Sequence, residues 1–439
     1  MGEQMKPSGI DWIGDIPASW KCSKVKFCFS LVNGSTPESS DYDCWDGDIK
    51  WITPADMSDT GTISHGERFI TKYGYNSCGT TLLPVGSIVI SSRAPIGKIN
   101  ITTAELCTNQ GCKSLMRYAD NRYFYYLFLA GQNELSLLGR GTTFLELSTY
   151  DLNIFGLVIP AEDEQKAIAD FLDKECAQID SIAADLEKQI ELLQQYKKSL
   201  ITETVTKGLD KTVPMKDSGV EWLGKIPAHW NFKRLKFMLE NSSDSMKVGP
   251  FGSALSGSDF TDEGKWVYNQ RVVLDNNFSE NTTFVSEEKF QEMRSFAVCP
   301  GDILITTRGT IGKVAIVPEG ANEGILHPCI IKFRVDKEMI IPELLQLIFN
   351  ESDFVKDQFT LMSNATTIEV IYSYSLKDIL LPVIPADEQK KIYGYLSKKC
   401  LAIDVIIAEK QKSLATITQH KKSLIYEYVT GKKRVKEVR

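Results

Sequence analysis

The amino-acid sequence predicts an α+β protein with two pseudo-symmetric α/β domains, separated by a pair of long helices that form an antiparallel coiled coil. Three observations predict this fold class. Four segments occur twice along the 439 residues, in the same order. Apolar residues recur every seven positions through a long stretch at the end of each half. The remaining segments contain short β-rich runs interrupted by Gly, Pro and Asn turns.

The internal repeat is the strongest of these observations. The first half opens with MKPSGIDWIGDIPASW at 5–20, and the second half opens with MKDSGVEWLGKIPAHW at 215–230. Three further pairs of matching segments follow in order: 86–98 and 301–313, 159–172 and 384–396, and 196–208 and 420–432. Between these segments the two halves diverge. Repeated segments in a constant order, with different residues between them, indicate two copies of one architecture that contact different ligands.

Each half ends in a predicted long helix. The first runs from Ala161 to Lys207 and carries Leu172, Ile179, Leu186, Leu193 and Leu200, interleaved by Ile168, Ile182, Ile190 and Tyr196. The second carries Ile392, Leu396, Ile403, Ile406, Leu414, Ile417 and Leu424, with Lys410 where the first copy has Leu186. A helix of this length needs a partner, so the two are predicted to pack together. The interposed segment at 215–230 can return the chain to the other end, which favours an antiparallel pair.

The repeat divides the chain into seven segments. They are an N-terminal repeat segment at 1–20 that packs near the C-terminal helix, a first domain at 21–158, a first spacer helix at 159–208, a connecting repeat segment at 209–230, a second domain at 231–383, a second spacer helix at 384–431 and a basic tail at 432–439. Inside the domains the clearest predicted helices are 121–138 and 342–358, and the clearest predicted strands are 88–91 and 303–306.

The composition is that of an ordinary globular protein, with 43% hydrophobic and 24% charged residues. The sequence has no run of about 18 apolar residues, so no membrane association is expected. The N-terminus lacks the pattern of a secretory signal, which predicts a cytoplasmic location. Ten cysteines without Cys-x-x-Cys spacing are interpreted as reduced packing thiols. A net charge of −7 argues mildly against nucleic-acid binding.

Catalytic motifs are missing from the sequence. The Gly-Lys pairs at 97–98 and 312–313 are followed by Ile99 and Val314, and not by the Ser or Thr of a phosphate-binding P-loop. The signatures of amino-methyltransferases, of the nucleophile elbow and of zinc peptidases are absent as well. Four histidines are a poor supply for a metal centre or a general base. The sequence therefore predicts a non-catalytic chain with no metal site.

Two cations flank a predicted hairpin turn in each half. They are Arg93 and Lys98 in the first half, and Arg308 and Lys313 in the second. Two cations per hairpin could hold phosphate groups. The repeated Ser/Thr-Arg-x-x-Ile-Gly-Lys is equally typical of a structural hairpin whose glycine permits a tight turn. Both interpretations are open.

Polar loops supply the other candidate binding residues. They carry donors, acceptors and small side chains of the kind that read base edges in DNA. In the first half the candidates are Ser35, Thr36, Thr53, Arg140, Thr142 and Thr143. In the second half they are Phe251, Ser253, Asn269, Gln270, Arg271, Asn364, Thr366 and Thr367. The alternative for each is a solvated loop residue without a ligand.

The combination resembles the specificity subunit of Type I restriction-modification systems over essentially the whole chain. The resemblance rests on Ser-Gly-Ile-Asp-Trp-Ile-Gly-Asp-Ile-Pro at 8–17, Asn-Gly-Ser-Thr-Pro at 33–37, Trp-Ile-Thr-Pro-Ala-Asp-Met at 51–57 and Gly-Pro-Phe-Gly-Ser at 249–253. Both halves add the Arg-x-x-Ile-Gly-Lys hairpin and the Ile-Pro-Ala helix start followed by Glu-Gln. No single segment is decisive, but their repeated order is.

The resemblance implies that each α/β domain is a target recognition domain that reads one half of a split sequence in double-stranded DNA. The differing loops imply an asymmetric, bipartite target with an unread gap. The paired helices would act as a spacer and dock methyltransferase subunits, two of them, with restriction/translocase subunits joining through the complex. S-adenosylmethionine, ATP and Mg²⁺ would be bound by these partners, with no cofactor in this chain. The acidic charge departs from a DNA-binding role and implies that partners neutralise much of the phosphate charge.

Two other functions are compatible with the sequence. One is a DNA methyltransferase or nuclease in its own right, which would show turnover as a purified chain. The other is a coiled-coil protein-interaction adaptor without DNA contact, whose complex would give no sequence-dependent protection of DNA.

Overall fold

The computed structural model describes residues 4–93, 95–140, 145–251, 254–363 and 370–435. The chain forms two compact units. The first unit contains the residues up to Glu187 together with those from Lys412 onward, and the second contains Lys188–Gln411. Each long helix therefore contributes one part to each unit.

Two β-sheets form the body of the first unit. In spatial order the larger sheet contains Ser30–Asn33, Cys112–Met116, Ile88–Ser91, Ile99–Thr102 and Thr60–Ile63. The smaller sheet contains Cys107–Thr108, Trp45–Ile52 and Arg68–Ile70. Two-stranded pairs join Met5–Pro7 to Asp15–Pro17, and Lys21–Lys24 to Gly156–Ile159. The shorter helices are Val25–Cys28, Lys72–Ser77, Arg122–Ala130, Gln132–Leu137 and Thr149–Ile154, with a 3₁₀ turn at Tyr42–Cys44.

The second unit is also built on two β-sheets. One contains Met246–Val248, Ile330–Phe333, Ile303–Thr306 and Val314–Ile316 in spatial order. The other contains Phe260–Thr261, Phe284–Val285, Lys265–Tyr268, Gly324–Leu326 and Ala297–Val298. Two-stranded pairs join Met215–Asp217 to Lys225–Pro227, and Asn231–Arg234 to Leu380–Val383. The helices are Gln270–Asp275, Glu287–Glu292, Pro342–Glu351, Phe354–Ser363 and Ser373–Asp378, with 3₁₀ turns at Leu235–Phe237, Gly257–Asp259 and Arg294–Phe296.

The two units share one frame. The strands predicted at 88–91 and 303–306 have those bounds, and all eight of their residues are buried. Each pairs antiparallel with the next strand and with a later strand of its sheet. Such short, continuous apolar runs are typical of strands covered on both faces. The duplicated sequence therefore builds the same core twice.

The long helices are Glu162–Lys207 and Ala386–Val429. The first begins one residue after the predicted start, and its first turn carries three acidic residues that favour the positive end of the helix dipole. The single helices predicted at 121–138 and 342–358 are each two helices in the structure. Gly131 separates the first pair, because a glycine without a side chain weakens the continuation of a helix. Ser352, in an extended conformation, ends the first helix of the second pair.

In the first unit the two long helices pack antiparallel. Lys421 Nζ lies 2.6 Å from an Asp180 carboxylate oxygen. Nearer the start of the first helix, the ring of Phe171 lies 4.4 Å from that of Tyr428. Residue numbers fall along one helix as they rise along the other, which is the predicted antiparallel direction.

The second unit has the same direction of pairing. Lys410 donates to Gln189 at 2.6 Å, and Lys197 Nζ lies 2.8 Å from Asp404 and 2.7 Å from Glu351. Burial by itself lowers the pKa of Lys197, but the hydrogen bonds to Asp404 and Glu351 outweigh it and raise the pKa. The predicted antiparallel helix pair is therefore confirmed within each unit.

Three side chains predicted to lie in the buried helix stripe are exposed. They are Ile182, Tyr196 and Ile406. Ile407, 9% exposed, takes the buried place predicted for Ile406, which is 41% exposed. A two-helix contact covers only a narrow seam, so apolar residues beside that seam stay in solvent.

The repeated tryptophan contacts the repeated start of each long helix. Trp20 Nε1 donates to Glu164 at 3.1 Å, and Trp230 Nε1 donates to Glu388 at 2.9 Å. Both indoles are buried. Two of the motifs that recur in the sequence are thus partners in space.

All ten cysteines have free thiols, and Cys22 and Cys299 are exposed. Burial raises the pKa of Cys107 to about 11 and that of Cys112 to about 12. Because the thiolate is the reactive form, we expect iodoacetamide at about pH 8 to modify Cys22 and Cys299 and to leave Cys107 and Cys112 unmodified. Mass spectrometry of the native chain tests this, with the urea-unfolded chain as the fully reactive control. Early modification of Cys112 would contradict the structure.

Candidate nucleic-acid interface

The repeated hairpin has the same geometry in both units. In the first, Lys98 N donates to Ser91 Oγ at 2.8 Å, and Gly97 N donates to the Ser91 carbonyl oxygen at 3.0 Å. The same two bonds recur at Thr306 in the second unit. The glycine before the lysine has φ of 96° in the first hairpin and 78° in the second, a conformation that glycine adopts without strain. The repeated motif therefore specifies a turn.

The two hairpin lysines are tied into the fold. Lys98 Nζ donates to the carbonyl oxygens of Pro54 at 3.0 Å and Met57 at 2.7 Å. Lys313 Nζ donates to the carbonyl oxygen of Asn350 at 2.7 Å. These bonds hold each hairpin against a neighbouring segment. Of the two interpretations that the sequence left open, they favour the structural one for the lysines.

The two hairpin arginines are less constrained. Arg308 is exposed, and its backbone forms an isolated antiparallel bridge with Val370. Arg93 is partly buried near Lys113. Burial lowers the pKa of Lys113, and the positive charge of Arg93 lowers it further. The negative charge of Glu146 acts in the opposite direction and raises the pKa, but the lowering effects outweigh it. Within the described ranges neither arginine forms an ion pair, so both guanidinium groups are available to an anion or a base edge.

Four loops meet at one edge of the first unit. They are 33–37, 51–57, 91–93 with 95–98, and 108–111. Ser35 N donates to the Thr108 carbonyl oxygen at 2.8 Å, and Ser92 N donates to the Gly111 carbonyl oxygen at 2.8 Å. Thr36 Oγ1 donates to the side chain of Gln110. Segments far apart in the sequence thus form one polar surface.

Asp56 fixes the conformation of the 51–57 loop. One carboxylate oxygen accepts hydrogen bonds from Thr53 N at 2.7 Å and Thr53 Oγ1 at 2.8 Å, and the other accepts from Glu67 N at 2.9 Å. Burial alone would raise the pKa of Asp56, but these hydrogen bonds outweigh it and lower the pKa below its usual value. The predicted residue Thr53 therefore supports the loop, and its hydroxyl is already engaged.

An equivalent cluster lies in the second unit. Its loops are 249–251, 268–271, 306–313 and 327–330. Gly249 N donates to the Ile330 carbonyl oxygen at 2.9 Å, as Gly34 N does to that of Cys112 at 3.3 Å in the first unit. Thr307 N donates to the Cys329 carbonyl oxygen at 3.0 Å, as Ser92 N does to that of Gly111. The backbone contacts therefore match those of the first unit, while the side chains differ.

The predicted residues at 269–271 begin a short helix in this cluster. Asn269 Oδ1 accepts from Arg271 N at 3.0 Å and so caps the helix. Gln270 Nε2 donates to the Thr310 carbonyl oxygen at 3.2 Å, which ties it to the hairpin. Arg271 is exposed, with Nε 3.5 Å from Asp275. Of the three, Arg271 has the side chain most accessible to a ligand.

Phe251 and Arg140 are the other predicted residues that the structure describes. Phe251 belongs to the 249–251 loop of the second cluster and is 83% exposed. Arg140 is exposed and lies 3.1 Å from Asp151, which is buried. Six candidates lie outside the described residues: Thr142, Thr143, Ser253, Asn364, Thr366 and Thr367.

Sequence reasoning missed the loop that completes each cluster. Asn109 N donates to the Ile52 carbonyl oxygen at 2.9 Å, and His327 N donates to that of Tyr268 at 3.2 Å, so the two residues are equivalent. Burial lowers the pKa of His327, and its Nδ1 accepts from Cys329 N at 3.1 Å. The neutral ring therefore keeps its proton on Nε2, as a donor. The sequence signal for these two loops was a short polar segment between two apolar strands in each half, with different residues in the two halves.

Two further features concern the described part of the chain. There, no group of three or more His, Cys, Asp or Glu side chains is arranged to hold a metal ion. No helix among the same residues is long and apolar enough to cross a membrane. What the two clusters offer chemically is hydrogen bonding and positive charge on rigidly supported loops.

Known proteins resemble this chain over both halves. The family model for the Type I restriction modification DNA specificity domain matches residues 17–192 and again 247–417. The chain is 32% identical over 243 residues to the type I restriction enzyme MjaIX specificity subunit of Methanocaldococcus jannaschii, which spans 53% of this chain and 54% of that protein. It is 24% identical to the putative MjaX specificity subunit of the same organism, over 97% of this chain and 96% of that one.

A solved structure shares the fold. That structure belongs to work on the structural basis of complex assembly and conformational transition of the type I R-M system. The likeness has a TM-score of 0.67 at 13% identity and covers 94% of this chain and 98% of that chain. The family model matches twice, once in each half of the repeat, and covers well over half of the sequence. The chain therefore belongs to the family of Type I restriction-modification DNA specificity proteins and carries two copies of the specificity domain.

Proposed function

We propose that this chain is the specificity subunit of a Type I restriction-modification complex and that each unit reads one half of a bipartite, asymmetric DNA target. The observation that carries the proposal is that the two loop clusters share their backbone contacts but present different side chains. Gly34 and Gly249 hold equivalent positions in the two clusters, yet the following loop presents Thr36 in one and Phe251 in the other. A constant frame positions the loops, and their side chains select the bases.

The contacts with DNA are proposed to come from both loop clusters. Arg93 and Arg308 serve phosphates or base edges, since no ion pair within the described residues competes for them. Ser35, Thr36, Arg140 and the 269–271 segment add further donors and acceptors. Lys98 and Lys313 act indirectly by holding the hairpins in place.

Methylation and cleavage are proposed to be the work of partner subunits in the cytoplasm. Two methyltransferase subunits dock on the long helices, restriction/translocase subunits join through them, and these partners bind S-adenosylmethionine, ATP and Mg²⁺. Large apolar side chains on the solvent side of the helices support docking, among them Leu192, Leu401 and Val405. This chain contributes recognition and no catalysis.

Changing one loop cluster should alter one half of the target. In the complete complex, replacing Ser35 and Thr36 by alanine is expected to change the bases selected in one half and to leave the other half unchanged. The matched change of Gln270 and Arg271 to alanine should act on the other half. Modified adenines mapped in DNA from cells carrying the system give the result. Changes in both halves together, or in neither, would refute the modular proposal.

The two alternative functions are tested with the same material. The purified chain with S-adenosylmethionine, or with a divalent metal and DNA, should show no turnover. Robust turnover would make the chain an enzyme. An assembled complex that protects no DNA sequence in preference to others would instead favour an adaptor without DNA contact.

A further inference from the structure

Arg68 stacks on an aromatic surface in the first unit. Its guanidinium carbon is 3.4 Å from the centre of the Trp45 ring and 5.8 Å from that of Trp51. The two indole rings meet edge to face, with centres 5.2 Å apart, and both are buried. Stacking restricts the plane of the guanidinium while its N–H groups stay free to donate. In the part of the chain that the structure describes, these groups have no hydrogen-bond acceptor.

The aromatic surface is anchored to a loop of the candidate DNA interface. Trp51 Nε1 donates to the Ser35 carbonyl oxygen at 3.0 Å, and Trp45 Nε1 donates to that of Glu38 at 3.1 Å. The 33–37 loop and the arginine are therefore held in register through two buried indoles. Because the support is rigid, little side-chain entropy remains to be lost when Arg68 binds a ligand.

The surroundings of Arg68 suit a base edge better than a phosphate. A cleft of about 520 Å³ beside it is lined by Thr53, Asp56, His65 and Glu67, among others. Asp56 accepts hydrogen bonds from the backbone N–H groups of Thr53 and Glu67, and within the described residues it forms no ion pair with the arginine. Two carboxylates in the wall repel a phosphate. A G·C pair matches, because guanine offers two acceptors to an arginine and cytosine offers an amino donor to a carboxylate such as that of Glu67.

The second unit has a different pair of residues at this place. Trp51 pairs across the sheet with Arg68 and on its other side with Cys107. The equivalent strand residue is Val267, which pairs with Ile325 and whose N–H donates to the Thr283 carbonyl oxygen at 2.9 Å. Among its described residues, the second unit therefore has no equivalent of this arginine on its tryptophan. The pair is among the residues that differ between the two units, as expected of a base-reading residue.

We infer that Arg68 reads a guanine in the half-target of the first unit, by donating two hydrogen bonds to O6 and N7 in the major groove. The inference rests on the proposed function and names a specificity-determining residue within it. A planar guanidinium held by stacking presents its two donors at the spacing of the guanine edge, which a lysine ammonium does not.

The test uses the assembled complex with the wild-type chain, Arg68→Ala or Arg68→Lys. Binding competition is measured with DNA targets in which each base pair of both halves is substituted in turn. Arg68→Ala should lose discrimination at one G·C pair, on the order of 10- to 100-fold, with the other positions unchanged. Arg68→Lys keeps the charge and a flexible stem that can cover the indole, loses the planar guanidinium, and should lose most of the same discrimination. Arg294→Ala, which removes the same charge from an exposed turn where the arginine donates to Gln291, is the matched control and should change nothing.

Each other result overturns the inference. If Arg68→Ala weakens all targets equally, the residue contacts phosphate. If neither variant changes discrimination, Arg68 only packs on the tryptophans. Should Arg68→Ala fail to assemble, Arg68→Lys decides alone, since its side chain can still cover the indole. A wild-type complex without preference for any split sequence would refute the proposed function itself, which distinguishes that failure from the failure of the role of Arg68.

Discussion

Replacing Gly34 by alanine should abolish reading of one half of the DNA target and leave the other half readable. A Cβ at position 34 would lie 2.0 Å from the carbonyl oxygen of Asn109 and 2.3 Å from that of Thr108. Both are backbone atoms, which cannot rotate away. The loop at 33–37 must therefore move off the loop at 108–111. Such overpacking typically costs about 1–3 kcal/mol, and here the strain falls on the polar surface of the first unit.

The measurement is binding competition by the assembled complex, with each half of the target substituted separately. Gly79→Ala is the matched control, since a Cβ there meets no atom within 4 Å. Gly249→Ala should act on the other half, because its Cβ would lie 2.1 Å from the His327 carbonyl oxygen, and Gly257→Ala is its control. If Gly34→Ala destroys reading of both halves, the loop frames are not independent and the interpretation is wrong.

Much of the frame could be predicted from the sequence, because it is encoded by local and repeated patterns. A heptad stripe along a helix of 46 residues defines that helix whatever its surroundings, and the first long helix begins one residue from the predicted start. The strands at 88–91 and 303–306 are short apolar runs bounded by turn residues, and both bounds were predicted. The antiparallel pairing followed from chain connectivity. Because the sequence is duplicated, each of these patterns occurs in both halves and could be identified twice.

The site was less predictable, since its surface is made by contacts between distant segments. Thr36 contacts Gln110 at a sequence separation of 74 residues, and no local pattern predicts that contact. For Lys98 the sequence left a phosphate contact and a structural role open, and its side chain donates to the carbonyl oxygens of Pro54 and Met57, more than 40 positions away. Arg68 was overlooked because nothing in the sequence around it indicates a stack on Trp45. Side-chain environment, and not residue type, separates a ligand contact from a structural one.

Exposure along the long helices shows the same limit. The heptad pattern predicts which residues are apolar, but a two-helix seam buries only some of them. Ile406 and Ile407 are neighbours of equal hydrophobicity, and their different burial follows from rotation about the helix axis. A sequence without its partner cannot separate residues that pack within the chain from residues kept for docking.

Replacing Trp230 by alanine is expected to destabilise the second unit by about 3–5 kcal/mol. The side chain is fully buried, and its indole N–H bonds Glu388 in the first turn of the second long helix. Removing it opens a cavity and leaves the carboxylate to His229, which already lies 2.9 Å away. The helix start would lose its attachment to the repeat segment. Trp20→Ala should have the same effect in the first unit, where Glu164 is the partner.

Urea unfolding of the full-length chain measures these losses, with Trp222→Ala as the matched control. Trp222 lies in the same repeat segment but is 42% exposed and packs on the ring of Phe354, so its removal should cost less than that of the fully buried Trp230. Trp230→Phe separates the two contributions, because it keeps most of the buried ring and deletes the N–H donor. A loss of about 1–2 kcal/mol for that variant would assign the larger share to packing. Equal losses for Trp230→Ala and Trp222→Ala would show that the repeated tryptophan does not anchor the helix, and the recurrence of Ile-Pro-Ala-x-Trp would need another cause.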